Sequence, residues 1–213
     1  MGFMRRHWFD LGILWAVIIG GVLLAAGLQP LSLLLWISLI SLFLHQFEEY
    51  RYPGYFPGMV NTVMFGSKKP DRYPLNTNTA FVVNVVVGWL SYFLAALLGA
   101  KAMWLAIATI LVSAGNFVAH AFIFNIRGKT GYNPGMATAI LLFGPIVVVF
   151  FSMVIRGNLA TPVAWVFGIL LGIALNYAGV LKLIDLLKDE ESPHIFEGRF
   201  MQPERTGGRA SKG

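Results

Sequence analysis

Four residues of this chain have side chains that could do chemistry together: His45, Glu48 and Glu49, in the string HQFEEY, and His120. All four lie in long apolar runs, where an ionisable group is costly and usually functional. Imidazole nitrogen and carboxylate oxygen are zinc donors, and a catalytic zinc keeps one position open for water. A metal lowers the pKa of that water to about 7. The spacing suggests His45, Glu48 and His120 as metal ligands and Glu49 as the proton-handling, catalytic residue. Counted from His45, Glu48 is at i+3 and Glu49 at i+4, so both flank the imidazole and their roles can be exchanged. Zinc is the first expectation, with iron or manganese as alternatives. The chain has no cysteine, which excludes thiolate catalysis and Cys-based metal sites.

The elements that position these residues follow from composition. Of 213 residues, 57% are hydrophobic and only 12% charged, against about 25% charged in a soluble domain. A surface so poor in charge is suited to lipid. Six segments, near 9–27, 31–50, 79–99, 102–124, 135–155 and 160–187, approach the ~20 apolar residues that cross a bilayer. The expected fold class is therefore all-α, a polytopic membrane bundle of about six transmembrane helices, because each span must satisfy its own backbone hydrogen bonds. One transmembrane domain covers 1–188, with a cytoplasmic or interfacial loop near 51–78. The polar tail, 189–213, is expected to be disordered.

Lys and Arg set the orientation. With both termini on one side, that side holds Arg5, Arg6, Arg51, Lys68, Lys69, Arg72, Arg127, Lys129 and the tail, while the other holds Lys101 and Arg156. This bias places both termini in the cytoplasm of a multi-pass protein of the inner (plasma) membrane. It also accounts for the net charge of +6 without a nucleic-acid partner. The start, MGFMRRHWFD, resembles a signal peptide, but its apolar run is longer than a signal core and is read as a retained first helix.

That topology gives each polar residue a depth. His45 lies six residues before Arg51 and His120 seven before Arg127, so both imidazoles sit about 9–11 Å inside the same face. Asn84 and Asn176 fall in the same layer, and Asn116 lies one turn from His120. These three asparagines and Tyr132 are the expected supports of the site. A stripe of Ala164, Gly168, Gly172 and Asn176 permits close helix approach. Trp15, Trp36, Trp89, Trp104 and Trp165 read as packing and interfacial belt residues. There is no nucleotide-binding loop, serine nucleophile elbow or HExxH.

His45-Gln46-Phe47-Glu48-Glu49 reads HxxEE, His120 follows, and Tyr132-Asn133-Pro134-Gly135 reads YxPG. In this order the three resemble the HXXEE family of bacterial and archaeal membrane proteins, from about Leu31 into the fifth span. A second YxPG, Tyr55-Phe56-Pro57-Gly58, follows the first histidine helix. The resemblance implies a multi-pass protein whose histidines and glutamates form an active or metal site, and supplies no reaction. The first functional expectation is a metal-dependent, membrane-embedded hydrolase taking a lipid or small-molecule substrate at the cytoplasmic leaflet. The alternatives are a small-solute or proton-coupled transporter, whose sites usually lie deeper, and an accessory membrane subunit.

Overall fold

A computed structural model describes residues 2–201, and they are almost wholly helical. Helix α1 spans Gly2–Ala25 and α2 spans Pro30–Tyr50. A short helix α3, Phe56–Met59, continues as a π turn, Val60–Met64. A helical run of 52 residues, Thr77–Gly128, follows. It reverses at Gly99, whose φ of +53° is the left-handed backbone that glycine adopts without strain. Its arms, α4 (77–98) and α5 (103–128), lie side by side, with Tyr92 Oη 2.7 Å from Ser113 Oγ. Helices α6, Met136–Arg156, and α7, Pro162–Leu187, complete the bundle. Among the described residues, five continuous helices are long and apolar enough to cross a membrane, and the reversal at Gly99 divides the longest into two, giving six long helices.

Helix starts follow local chemistry. Asn76 caps α4, accepting from the backbone N–H groups of Asn78 and Thr79 at 3.0 and 2.9 Å. Thr161 caps α7 ahead of Pro162, which needs no hydrogen-bond partner at the first helical position. Helix α6 has no such local cap, since Gly135 stands at its start.

The outward face is apolar: Leu24 is 92% exposed, Leu141 70% and Val148 69%. In water this would cost several kcal/mol; in lipid it costs nothing. Inside, one apolar layer (Leu35, Ile107, Ile110, Phe150, Val154) fills one half of the bundle. A middle layer packs Leu39, Leu42, Phe43 and Phe143. An aromatic layer with Trp8, Phe9, Tyr50, Phe196 and Phe200 closes the mouth.

Two further elements reach that mouth. Asn61 pins the 51–76 loop by donating to the carbonyls of Pro70 and Leu75, both at 2.8 Å, and accepting from Leu75 N–H at 3.0 Å. The tail, expected to be disordered over 189–213, is packed over 189–201, and the rest of that expectation lies outside the described residues. Thr77 N–H donates to His194 O, Phe196 N–H donates to Asp71 O, and Phe196 and Phe200 are buried. Aromatic side chains at 196 and 200 supply the apolar surface that the tail's polar composition concealed.

Candidate metal centre

Between the middle layer and the mouth, α2 and α5 bring His45, Glu49 and His120 together. Glu49 Oε1 lies 3.3 Å from His120 Nε2 and 3.7 Å from His45 Nε2. The rings are 4.7 Å apart and nearly perpendicular. All three residues are buried, at 2%, 5% and 1% exposure for His45, Glu49 and His120. One ligand atom from each lies within 4.8 Å of the others. Ligands at about 2.0–2.2 Å from a tetrahedral zinc stand roughly 3.3–3.6 Å from one another, so the spacing fits a metal.

The hydrogen bonds decide which imidazole nitrogens face the centre. Both amide hydrogens of Asn133 are used, by His120 O at 2.8 Å and Asn125 Oδ1 at 2.9 Å. Its Oδ1 is therefore the atom 2.7 Å from His120 Nδ1, and it accepts from that ring N–H. Thr138 Oγ1 donates to Glu48 Oε2 at 2.5 Å, so it accepts from His45 Nδ1–H at 2.9 Å. In that arrangement both rings carry their proton on Nδ1 and turn Nε2 to Glu49, with the Asn116 side chain also within reach of His45. His45 Nε2 is one of two buried side-chain polar atoms without a hydrogen-bond partner among the described residues. Second-atom hydrogen bonds of this kind fix metal-ligating histidines.

Of the two glutamates, whose roles the spacing left exchangeable, Glu49 faces the imidazoles. Glu48 is not beside the imidazoles. It accepts from Tyr132 Oη at 2.8 Å, Ala137 N–H at 3.0 Å, Thr138 N–H at 2.8 Å and Thr138 Oγ1. A carboxylate at a helix N-terminus meets unpaired N–H groups and the positive end of the helix dipole. Glu48 is thus the missing cap of α6, supplied from α2. Glu49, one residue on, turns to the histidines.

The other expected supports divide. Tyr132 reaches the site through Glu48. Burial and the Glu48 carboxylate push its phenol above its ordinary pKa. Asn84 accepts from Gln46 Nε2 at 3.1 Å and donates toward Tyr50 Oη at 3.3 Å. Asn84 and Asn116 line a cavity adjoining His45 and Glu49. Asn176 is elsewhere: it donates to Leu111 O at 3.3 Å and Gly172 O at 2.9 Å, within the close α5–α7 contact made by Gly168 and Gly172. It shares the layer's depth and points into a helix seam.

Asn133, Thr138 and Gly135 are the residues that depth and helix faces did not supply. Gly135 has φ +97°, and a Cβ there would overlap the His120 ring and stand 2.8 Å from His45 Cε1. The YxPG string is therefore the back wall of the centre: Tyr132 holds Glu48, Asn133 holds His120, and Gly135 lets the chain pass against both rings. The earlier YxPG covers the front, where Phe56 stacks on His120 at 5.4 Å. His120 itself lies in a π turn, Ala119–Ile123, a distortion frequent at functional sites.

A family model described as "Protein of unknown function with HXXEE motif" matches residues 36–150. Those residues are more than half of the chain and hold every member of the centre, so this is a polytopic membrane protein with a buried His/Glu group. The chain belongs to the HXXEE family. No curated protein and no solved structure matches it.

Proposed function

We propose that this protein is a metal-dependent hydrolase embedded in the membrane, with His45, His120 and Glu49 as the ligands and both termini in the cytoplasm. The observation that carries the reading is the meeting of two imidazole Nε2 atoms and a carboxylate in a buried site. Two imidazole nitrogens and a carboxylate facing one another form a donor set for a cation, and a divalent metal answers all three. Zinc fits nitrogen and carboxylate donors best; iron or manganese would use the same set.

A metal held there would polarise an ester or phosphoester oxygen and activate water. The protein supplies the rest. Asn133 and Thr138 keep the rings oriented, and Phe56 and Phe143 pack on them against solvent. Glu49 is the only acidic residue lining the adjoining cavity among the described residues, so it is also the group placed to handle the proton of an attacking water.

The cavity supports a lipid-like substrate. It measures about 170 Å³ and its walls are mainly apolar, including Leu42, Val87, Val112, Leu175 and Val180. Phe65 and Leu181, also in its lining, are 47% and 55% exposed, so it reaches the bundle's outer surface. A membrane amphiphile could lay its chain along these walls and its polar group beside Glu49, His45, Gln46 and Asn116.

Elemental analysis of the purified protein tests the metal. About one equivalent in wild type, lost in His45→Ala and His120→Ala, is expected; metal-free wild type with intact histidines would overturn the reading. The enzyme claim is tested by incubating metal-loaded protein with a membrane lipid extract and following products by mass spectrometry. Products formed by wild type and absent with Glu49→Gln are expected. Substrate-driven flux in proteoliposomes without turnover would replace the enzyme with a transporter.

A further inference from the structure

A second cavity, separate from the centre, collects arginines from three distant parts of the chain. Arg5 and Arg6 from the first turns of α1, Arg51 just after α2, and Arg199 from the packed tail all line it. It measures about 120 Å³ and lies beside the buried face of Trp8 and Phe9. Two of the arginines are held there. Arg199 donates to Tyr50 O at 3.2 Å, and its guanidinium lies 3.7 Å from the centroid of the Phe200 ring. Arg51 Nε is 3.3 Å from Asp10 Oδ1.

The charge of this cavity is not balanced. Asp10 is shared between Arg51 and His7, and Glu197 lies 4.0 Å from Arg199. Arg5 and Arg6 have no acidic partner among the described residues. They also stand where the α1 dipole is positive, with no acidic residue in the first turn. Burial and the charge of Arg51 hold the Arg199 guanidinium below its ordinary pKa. Helix dipole and like charges oppose this arrangement together, and one bound anion would relieve both.

We infer that the cavity formed by Arg5, Arg6, Arg51 and Arg199 binds a phosphate group. Guanidinium forks match phosphate oxygens in pairs, and the cavity takes a group of that size. Its position, at the end of α1 where the apolar run begins, is where an anionic lipid presents its phosphate. Free phosphate carries the same chemistry. The tail and α1 would be tied together by the anion, because each contributes arginines to it.

The test uses delipidated full-length protein in detergent. Binding is read by native mass spectrometry and by thermal unfolding, with phosphatidylglycerol, phosphatidylcholine and inorganic phosphate as probes. Phosphatidylglycerol is expected to bind and raise the Tm more than phosphatidylcholine does. Arg5→Gln/Arg6→Gln should weaken that binding by about tenfold or more. Arg5→Lys/Arg6→Lys should bind between the two and show that the cavity still folds. Lys68→Gln/Arg127→Gln removes the same charge outside the cavity and should bind as wild type. Displacement of phosphatidylglycerol by millimolar inorganic phosphate would assign the occupant as free phosphate; its persistence would assign the headgroup. Absence of binding by both phosphate and phosphatidylglycerol overturns the inference. Equal loss in the two glutamine double variants, or wild-type binding by Arg5→Gln/Arg6→Gln, does the same.

Discussion

Glu49 Oε1 lies 3.3 Å from His120 Nε2 in a buried contact, on the side of the ring away from the Nδ1 that Asn133 holds. His45 turns a second ring nitrogen to the same oxygen. A proton bound to one of these three atoms satisfies a single pair, whereas a metal satisfies all three.

Glu49→Gln separates these two cases. An amide keeps the size and removes the charge and one acceptor oxygen. If a metal is shared, the variant loses it in elemental analysis as fully as His45→Ala does. If only a proton is shared, wild type and variant are both metal-free and differ in stability alone.

Glu48→Gln has a different expected outcome, although the residue is adjacent. It weakens four hydrogen bonds and leaves the α6 terminus without its anion. A loss of about 1–3 kcal/mol is expected, read as a lower Tm. Thr138 then loses its strong acceptor and holds His45 less firmly, so metal affinity should fall by about 10–100-fold rather than vanish. Complete metal loss with an unchanged Tm would show instead that Glu48 is a ligand.

Asn133→Ala and Asn176→Ala test the division among the asparagines. Asn133 fixes the His120 ring, and its removal should weaken metal binding by about 10–100-fold. Asn176 bonds across the α5–α7 seam, and its removal should lower the Tm and leave metal content unchanged. Equal metal content in the two variants would contradict the tautomer assigned to His120.

Much of this was legible in the sequence, for physical reasons. Apolar runs report spans because the bilayer demands length, and counting residues back from the span ends puts His45 and His120 at a common depth. Depth is not direction, however. Asn176 has the right depth, but helical phase relative to a neighbour is fixed only by packing, and the glycine stripe packs it on α5. The choice between Glu48 and Glu49 was open for the same reason: both flank His45, and only the position of the α6 N-terminus decides which turns away. Asn133 lies in a loop, where residue counting gives no depth. Its signal is the YxPG string itself, which in sequence marks a turn and carries no information about what it packs against.

Gly135→Ala should be among the most damaging single changes. A methyl group there meets the His120 ring and His45 Cε1, and φ +97° is strained for alanine in any case. Neither neighbour can retreat, since each ring is held at Nδ1 and packed by Phe56 or Phe143. A loss of about 1–3 kcal/mol from overpacking is expected, with loss of bound metal. Gly131→Ala, with open space around its Cβ position, is the matched control and should behave as wild type.

Tyr132 gives the pH dependence a direction. Burial and the Glu48 carboxylate raise its phenol pKa in the folded protein. The protonated form is thus favoured by folding, and this contribution is fully present below the ordinary tyrosine value of about 10. It is lost as pH rises from there through the raised value, because the folded state then has to release a proton it holds more tightly than the unfolded chain does. Thermal unfolding followed from neutral to strongly alkaline pH should show a decline beginning near the ordinary tyrosine value. Tyr132→Phe should be less stable at neutral pH, having lost the donor to Glu48, and should decline less steeply. A Tyr132→Phe curve parallel to wild type would mean that the phenol does not hold Glu48 in the folded protein.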